Sequence, residues 1–273
     1  PTLATTPAGD AIPVGGIAGI ARAIALAGGS LALTVVAGAG PPLAPVETTG
    51  DSTLDLPMVD PDRQLSVERF VVDADSGVVE LSSSVRLTGT SGAAVTGRAN
   101  LGAVPSGLAG RDESIVDLDG SPVATSLLGA RFAGATIGAN GDLWLADPRR
   151  CGLWRFDVTG RLIARFVPEG TPSNLGSDTL PPAFATRRVN LTLEPGRRFG
   201  GFGGIAYDAG RGLVAAVTRL PLDNPDDANE TVSRAASIVR LVEVDASTGA
   251  CVGECALVLD GPPASIFNCF SSG

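Results

Sequence analysis

Asp147 is the residue of this chain best placed to do chemistry. It closes the run Asn140-Gly-Asp-Leu-Trp-Leu-Ala-Asp147 and opens Pro148-Arg149-Arg150. A carboxylate at a strand end stands at a rim, where it can ligate a hard cation or take a proton as a base. The plainer role is to cap its own turn by accepting from nearby backbone N–H groups. Arg149 follows within two residues and can steady negative charge that develops beside the carboxylate. Two more basic pairs, Arg187-Arg188 and Arg197-Arg198, also fall in expected loops. If those loops converge, Arg187, Arg188 and Arg198 can take a phosphate or carboxylate by forked donation. The alternative is solvated arginine paired with surface acids. Asp223-Asn-Pro-Asp226-Asp227 is short and oxygen-rich. Asp223 and Asp226 therefore join Asp147 as candidate ligands for Ca2+, although the segment lacks the EF-hand pattern and also reads as a solvated proline turn.

Histidine is absent from all 273 residues. That excludes Ser-His-Asp and Cys-His catalysis within the chain, and the usual zinc hydrolase sites. Ser91 and Ser106 stand in no Gly-x-Ser-x-Gly elbow and have no base to activate them. Any catalysis must use carboxylates, arginine, hydroxyls or an oxygen-held cation. The formal net charge is −9, so the surface repels a phosphate backbone and nucleic acid is not an expected partner. A small-molecule ester or phosphate is the expected one. The four cysteines are Cys151, Cys251, Cys255 and Cys269. They lack a zinc pattern and suggest disulfides in an oxidising compartment, with three connectivities open.

The elements that must hold these residues are short strands. Apolar residues make up 44 % of the chain and aromatics 4 %, so the core must be mostly Val, Leu, Ile and Ala. With 36 Gly and 20 Pro, the chain suits many tight turns rather than long helices. Asn140-Gly141 suggests a type I′ hairpin. Asp73-Ala-Asp-Ser-Gly77, Asp117-Leu-Asp-Gly120, Asp157-Val-Thr-Gly160 and Asp245-Ala-Ser-Thr-Gly249 each follow an apolar run. Their Asp residues step by 44, 40 and 88 positions. A period near 40–45 with four strands per unit is the spacing of a β-propeller. The expected fold is all-β, a propeller or partial propeller of four-stranded antiparallel blades, with a β-sandwich of repeated hairpins as the alternative. Trp144, Trp154 and Phe156 are expected between blades. Gly200-Gly-Phe-Gly-Gly204 fails as a dinucleotide loop because no helix pattern follows; its glycines suit close backbone approach at an inner strand.

Residues 1–50 differ from the rest. Ala23 to Gly40 is uncharged and rich in Ala, Gly and Leu, with Arg22 before it and Ala37-Gly-Ala39 resembling a cleavage site. The segment reads as a signal-like or low-complexity leader ahead of a domain spanning 51–273, in an extracytoplasmic protein. Membrane association is expected only through this segment, if it is retained.

The stretch from about 130 to 260 resembles the "esterase-like activity of phytase" family. The resemblance rests on Gly138-Ala-Asn-Gly-Asp-Leu-Trp-Leu-Ala-Asp-Pro-Arg149, on Gly152-Leu-Trp-Arg-Phe-Asp-Val-Thr-Gly160-Arg-Leu, and on Leu180-Pro-Pro-Ala-Phe-Ala-Thr-Arg187-Arg188. Leu220-Pro-Leu-Asp223 is also similar. In Gly201-Phe-Gly-Gly-Ile-Ala206 the chain keeps Gly201, Phe202, Gly204, Ile205 and Ala206 of the family pattern, with Gly203 where that pattern has Glu. The resemblance implies a secreted propeller hydrolase for ester or phosphoester substrates. Calcium near Asp147 would polarise the reacting oxygen and an arginine would steady its charge. A non-catalytic propeller that binds a ligand or protein is the rival from another class, and the Glu-to-Gly difference favours it.

Overall fold

Five turns among the described residues are closed by one aspartate and one glycine acting together. In Asp157-Val-Thr-Gly160, Asp157 Oδ1 accepts from the backbone N–H of Thr159 at 2.8 Å and of Arg161 at 3.0 Å. Gly160 donates back to the Asp157 carbonyl at 3.0 Å with φ +83°, a backbone conformation that costs any residue with a β-carbon. Asp117 with Gly120 uses the same four-residue closure. The turns starting at Asp73, Asp208 and Asp245 are one residue longer, with the closing glycine at Gly77, Gly212 and Gly249.

The computed structural model describes residues 2–5, 11–13, 17–38, 46–47, 54–57, 60–99, 114–124, 126–148, 152–167, 178–179, 201–219, 221 and 237–259. β1 (Thr2–Thr5) and β2 (Ala11–Pro13) form a hairpin of their own. The first sheet contains β3 (Ile17–Ala25) and β4 (Ser30–Ala37). The chain then passes through β5 (Val46–Glu47) and β6 (Leu54–Pro57), and completes that sheet with β7 (Ser66–Asp73) and β8 (Val79–Arg86). β9 (Ser114–Val116) joins β5 and β6 in a small three-stranded sheet. The central sheet is β10 (Gly134–Ile137), β11 (Leu143–Asp147), β12 (Gly152–Phe156) and β13 (Leu162–Val167), with β14 (Asp178–Thr179) added in parallel at the edge. The third sheet is β15 (Phe202–Asp208), β16 (Leu213–Thr218), β17 (Ile238–Asp245) and β18 (Cys251–Val258). Each of the three main sheets is a four-stranded antiparallel meander. Ala27–Gly29, a 3-10 turn, is the one helical element among the described residues. No helix among them is long and apolar enough to cross a membrane.

The central sheet is buried on both faces, so its strands are apolar almost throughout. Leu143, Leu145, Trp154 and Phe156 pack with Val36, Leu65, Leu87 and Phe132 on the side of the first sheet. Trp144, Ala146, Leu153 and Phe166 pack with Phe202, Val214, Val242 and Val244 of the third. The two tryptophans thus serve opposite cores. Trp144 stacks on Phe166 with centroids 5.4 Å apart, and Trp154 stands edge-on to Phe132 at 5.6 Å. Scarce aromatic area is spent where two interfaces need it, as expected for Trp144, Trp154 and Phe156. The hairpin edge of the central sheet adds a polar tie. Arg155 donates to Asp142 and to the carbonyl of Ser247, and lies over the Trp144 ring at 5.4 Å.

Four sequence expectations change. Asn140-Gly141 does not make a type I′ turn. Gly141 donates to the Gly138 carbonyl at 3.0 Å, so the central residues are Ala139 and Asn140, and Gly141 closes a three-residue loop at φ +80°. The repeating unit is a whole sheet. Asp73, Asp157 and Asp245 each join the third and fourth strands of one sheet, at steps of 84 and 88 residues; Asp117 belongs to the small sheet and Asp208 to a first hairpin. The sheet containing β3 and β4 draws strands from both sides of the boundary expected at residue 50, because β3 pairs with β4 and β4 pairs with β7. Cys251 and Cys255 are free thiols on one strand. Four residues of strand span about 13 Å, beyond disulfide reach, so they cannot bridge each other. Cys151 and Cys269 lie outside the described residues.

Candidate functional site

Gly19, Gly134 and the Gly203-Gly204 pair bring the first strands of the three main sheets together. A β-carbon on Gly19 of β3 would stand 3.2 Å from the Ala135 nitrogen and 3.4 Å from the Gly134 α-carbon. One on Gly134 of β10 would stand 3.4 Å from the Gly203 carbonyl oxygen and the Gly204 α-carbon of β15. Backbones this close leave little space for side chains. In a meander, the links between strands two and three, and from strand four to the next sheet, leave from the edge where the first strand starts. All the long links of the main sheets therefore leave from the edge where these glycines meet: 38–65, 87–133, 168–201 and 219–237. The links at the opposite edge are the short hairpins.

Asp147 sits at this convergence. It ends β11, pairs with Gly152 and is fully buried. Strand alternation puts it on the face of Leu143 and Leu145, opposite Trp144 and Ala146. Gly201 presses on the backbone that follows. Its N–H donates to the Pro148 carbonyl at 3.0 Å. A β-carbon there would stand 2.6 Å from that oxygen and 2.8 Å from the Asp147 carbonyl oxygen. The Gly201 carbonyl in turn accepts from the N–H of Arg219 at 2.8 Å. Asp147, Gly201 and Arg219 are thereby linked through the backbone although they come from two sheets.

Arg219 is the functional candidate that sequence reasoning missed. Its stem crosses the bare face of Gly203, with Cβ and Cγ 3.1 Å and Cδ 3.4 Å from where a β-carbon would be. A longer side chain at 203 has no room unless Arg219 moves. The available signal was Thr218-Arg219 directly after the apolar run of β16. Of the residues predicted from sequence, Asp147 is the one the structure describes. Arg149, Arg187, Arg188, Arg198, Asp223 and Asp226 lie outside the described residues.

Calcium takes roughly six to eight oxygens. Among the described residues no group of three His, Cys, Asp or Glu side chains is positioned to hold a metal ion. Beside Asp147 they supply backbone carbonyls.

No family model matches the chain, and no curated protein matches it. Among solved structures it is similar to Kuenenia stuttgartiensis hydrazine synthase, at 10 % identity over 78 % of this chain and 51 % of that one, with a TM-score of 0.24. The chain thus spans about half the length of that protein, and a likeness this weak carries no argument about fold or chemistry.

Proposed function

We propose that this chain is an extracytoplasmic hydrolase of propeller type, phytase-like, acting on small ester or phosphoester substrates at the edge where Asp147 lies. The observation that supports this reading is the buried Asp147 carboxylate at the glycine convergence of three sheets, on the side from which every long link departs. Loops on a rigid scaffold are where binding and catalytic groups concentrate. A fixed carboxylate beneath them is suited to hold or take a proton from an attacking water. With no histidine in the chain, that role falls to a carboxylate. Asp223 and Asp226 are the further oxygens that a calcium-assisted version would use.

A second reading is a non-catalytic module that binds its ligand at the same edge. Arg219 packed over Gly203, where the resembling family has Glu, favours it. Hydrolysis of p-nitrophenyl phosphate and p-nitrophenyl acetate by the wild type and by Asp147→Asn separates the two. Turnover that falls at least about 100-fold in a folded variant supports the hydrolase. Folded wild-type protein with no turnover on either ester leaves the binding module.

A further inference from the structure

We infer that two copies of this chain associate head to tail, the open face of the first sheet of each seating on the open face of the third sheet of the other, and so close a ring. The inference rests on the propeller part of the proposed reading and not on its hydrolase part.

Strand pairing sorts the side chains of each end sheet onto two faces, because residues opposite each other across an antiparallel ladder point the same way. In the first sheet Val36 pairs with Val67, and both pack into the core shared with the central sheet. The other face carries the rows Ile20-Val35-Glu68-Ser84, Ala23-Leu33-Phe70-Leu81 and Ala25-Leu31-Val72-Val79. The second and third rows are apolar throughout. Ile20, Leu81 and Val79 are 58 %, 56 % and 59 % exposed. A solvated face of an antiparallel sheet carries polar residues; most of this one does not. In the third sheet Val214, Val242 and Val244 pack toward the central sheet. The other face carries Gly204-Val217-Leu241-Cys255 and, on β17 and β18, Val239-Leu257. Cys255 and Leu257 are exposed. Glu243 shares this face and accepts from Arg211 Nη2 at 3.0 Å, so the acid there is already neutralised, as suits a surface that becomes buried.

The occupant follows from the joint between sheets. The chain makes that joint twice, each time face to face, with first strands meeting at Gly19 and Gly134 and then at Gly134 and Gly204. The two open faces are the two halves of the same joint, one at each end of the array. An array of stacked repeats needs a polar outer face on its end units to stay alone in water, and neither end sheet has one. A second copy supplies both missing halves at once. Head-to-tail contacts form a ring when the rotation closes. Propellers run to about four to eight sheets, so with three main sheets per copy two copies fall in that range and three overshoot it. Area points the same way. Four strands about 4.8 Å apart and some eight residues long present roughly 500 Å² of face. One such face falls short of the roughly 800 Å² per partner of a stable interface, and two exceed it.

The test is sedimentation velocity and light scattering of the full chain from about 1 to 100 μM. Leu81→Glu alters the first open face and Leu257→Glu the third. Melting temperature and the fluorescence of Trp144 and Trp154, one in each core, confirm that the variants fold. The expected result is a dimer whose dissociation constant rises about tenfold or more in either variant. Mixing the two variants should restore part of the association, because one of the two joints is then unaltered. A monomer throughout the range, a series of species that grows without limit, or a dimer that either variant leaves intact overturns the inference. Turnover of p-nitrophenyl phosphate is read in parallel. A dimer without turnover removes the hydrolase and keeps the inference. A monomer whose turnover depends on Asp147 does the reverse.

Discussion

Arg155 and Ser247 stand 92 residues apart in sequence, yet Nη1 of the arginine donates to the serine carbonyl at 3.1 Å. The contact joins the hairpin edge of the central sheet to the Asp245–Gly249 turn of the third. The same guanidinium donates twice to Asp142, at 2.8 Å from Nε. Both side chains are little exposed, at 13 % and 12 %.

Arg155→Met should destabilise the fold by about 3 kcal/mol, because it strands the Asp142 carboxylate in a nearly dry site. Replacing both partners, Arg155→Met with Asp142→Leu, should cost markedly less. Urea unfolding of the two single variants and the double variant checks this as a mutant cycle. Equal costs for Arg155→Met in both backgrounds would show that the pair is not coupled.

Two turn glycines should differ in tolerance. Gly212 has φ +68° with open space where a β-carbon would go, so Gly212→Ala should cost about 1 kcal/mol of backbone strain. Gly160 has φ +83° and would place its β-carbon 2.5 Å from the Arg86 carbonyl oxygen of the first sheet. Gly160→Ala should cost roughly 3 kcal/mol or more, since one sheet must shift against the other. Thermal melts of the two variants decide it; similar melting temperatures would contradict the contact.

Acid should weaken the turns in a defined window. Hydrogen bonds from the Ser247 hydroxyl, the Thr248 backbone N–H and the Thr248 hydroxyl hold Asp245 down from 3.8 to about 2. Asp157 is lowered chiefly by the Thr159 hydroxyl, and Asp73 chiefly by the Ser76 backbone N–H. A carboxylate lowered in the folded state contributes stability that is complete above its unfolded value and disappears as pH falls through its folded one. Stability should therefore be level above about pH 5 and decline between pH 4 and 2. Asp245→Ala should be less stable at neutral pH and show a shallower decline, measured by urea midpoints across that range.

The turns were legible because their chemistry is local: an Asp that accepts N–H bonds and a Gly that supplies positive φ stand within four or five residues. The turn at Asp208 was harder to match, because Asp208-Ala-Gly-Arg-Gly212 carries a second glycine inside it. The strands β3 and β4 were masked by composition. Ile17–Ala25 and Ser30–Ala37 are apolar and almost chargeless, so they read as a leader, although Gly28-Gly29 between them marks a hairpin. The pairing of β4 with β7 is long-range and left no local trace. The repeat was halved for the same reason, since nothing in the spacing tells which strand pair a turn joins.

At the candidate site, Asp147 was legible from its place at a strand end. Arg219 was not, because its importance comes from Gly203, a neighbour across a strand pair, and from what glycine lacks. The resemblance drew attention to Gly203; the structure shows that the Arg219 stem runs alongside it.

The two edges of the sheets differ in what they can absorb. Every link at the hairpin edge is a few residues long and contains at least one glycine at positive φ, so an added residue there disturbs a tightly closed turn. The links of the other edge are already up to several tens of residues long, and lengthening such a loop costs little more closure entropy. Sequence drift, inserted domains and engineered epitopes should therefore accumulate on one side of the molecule while the other keeps its dimensions, so that recognition can diversify without renegotiating the scaffold.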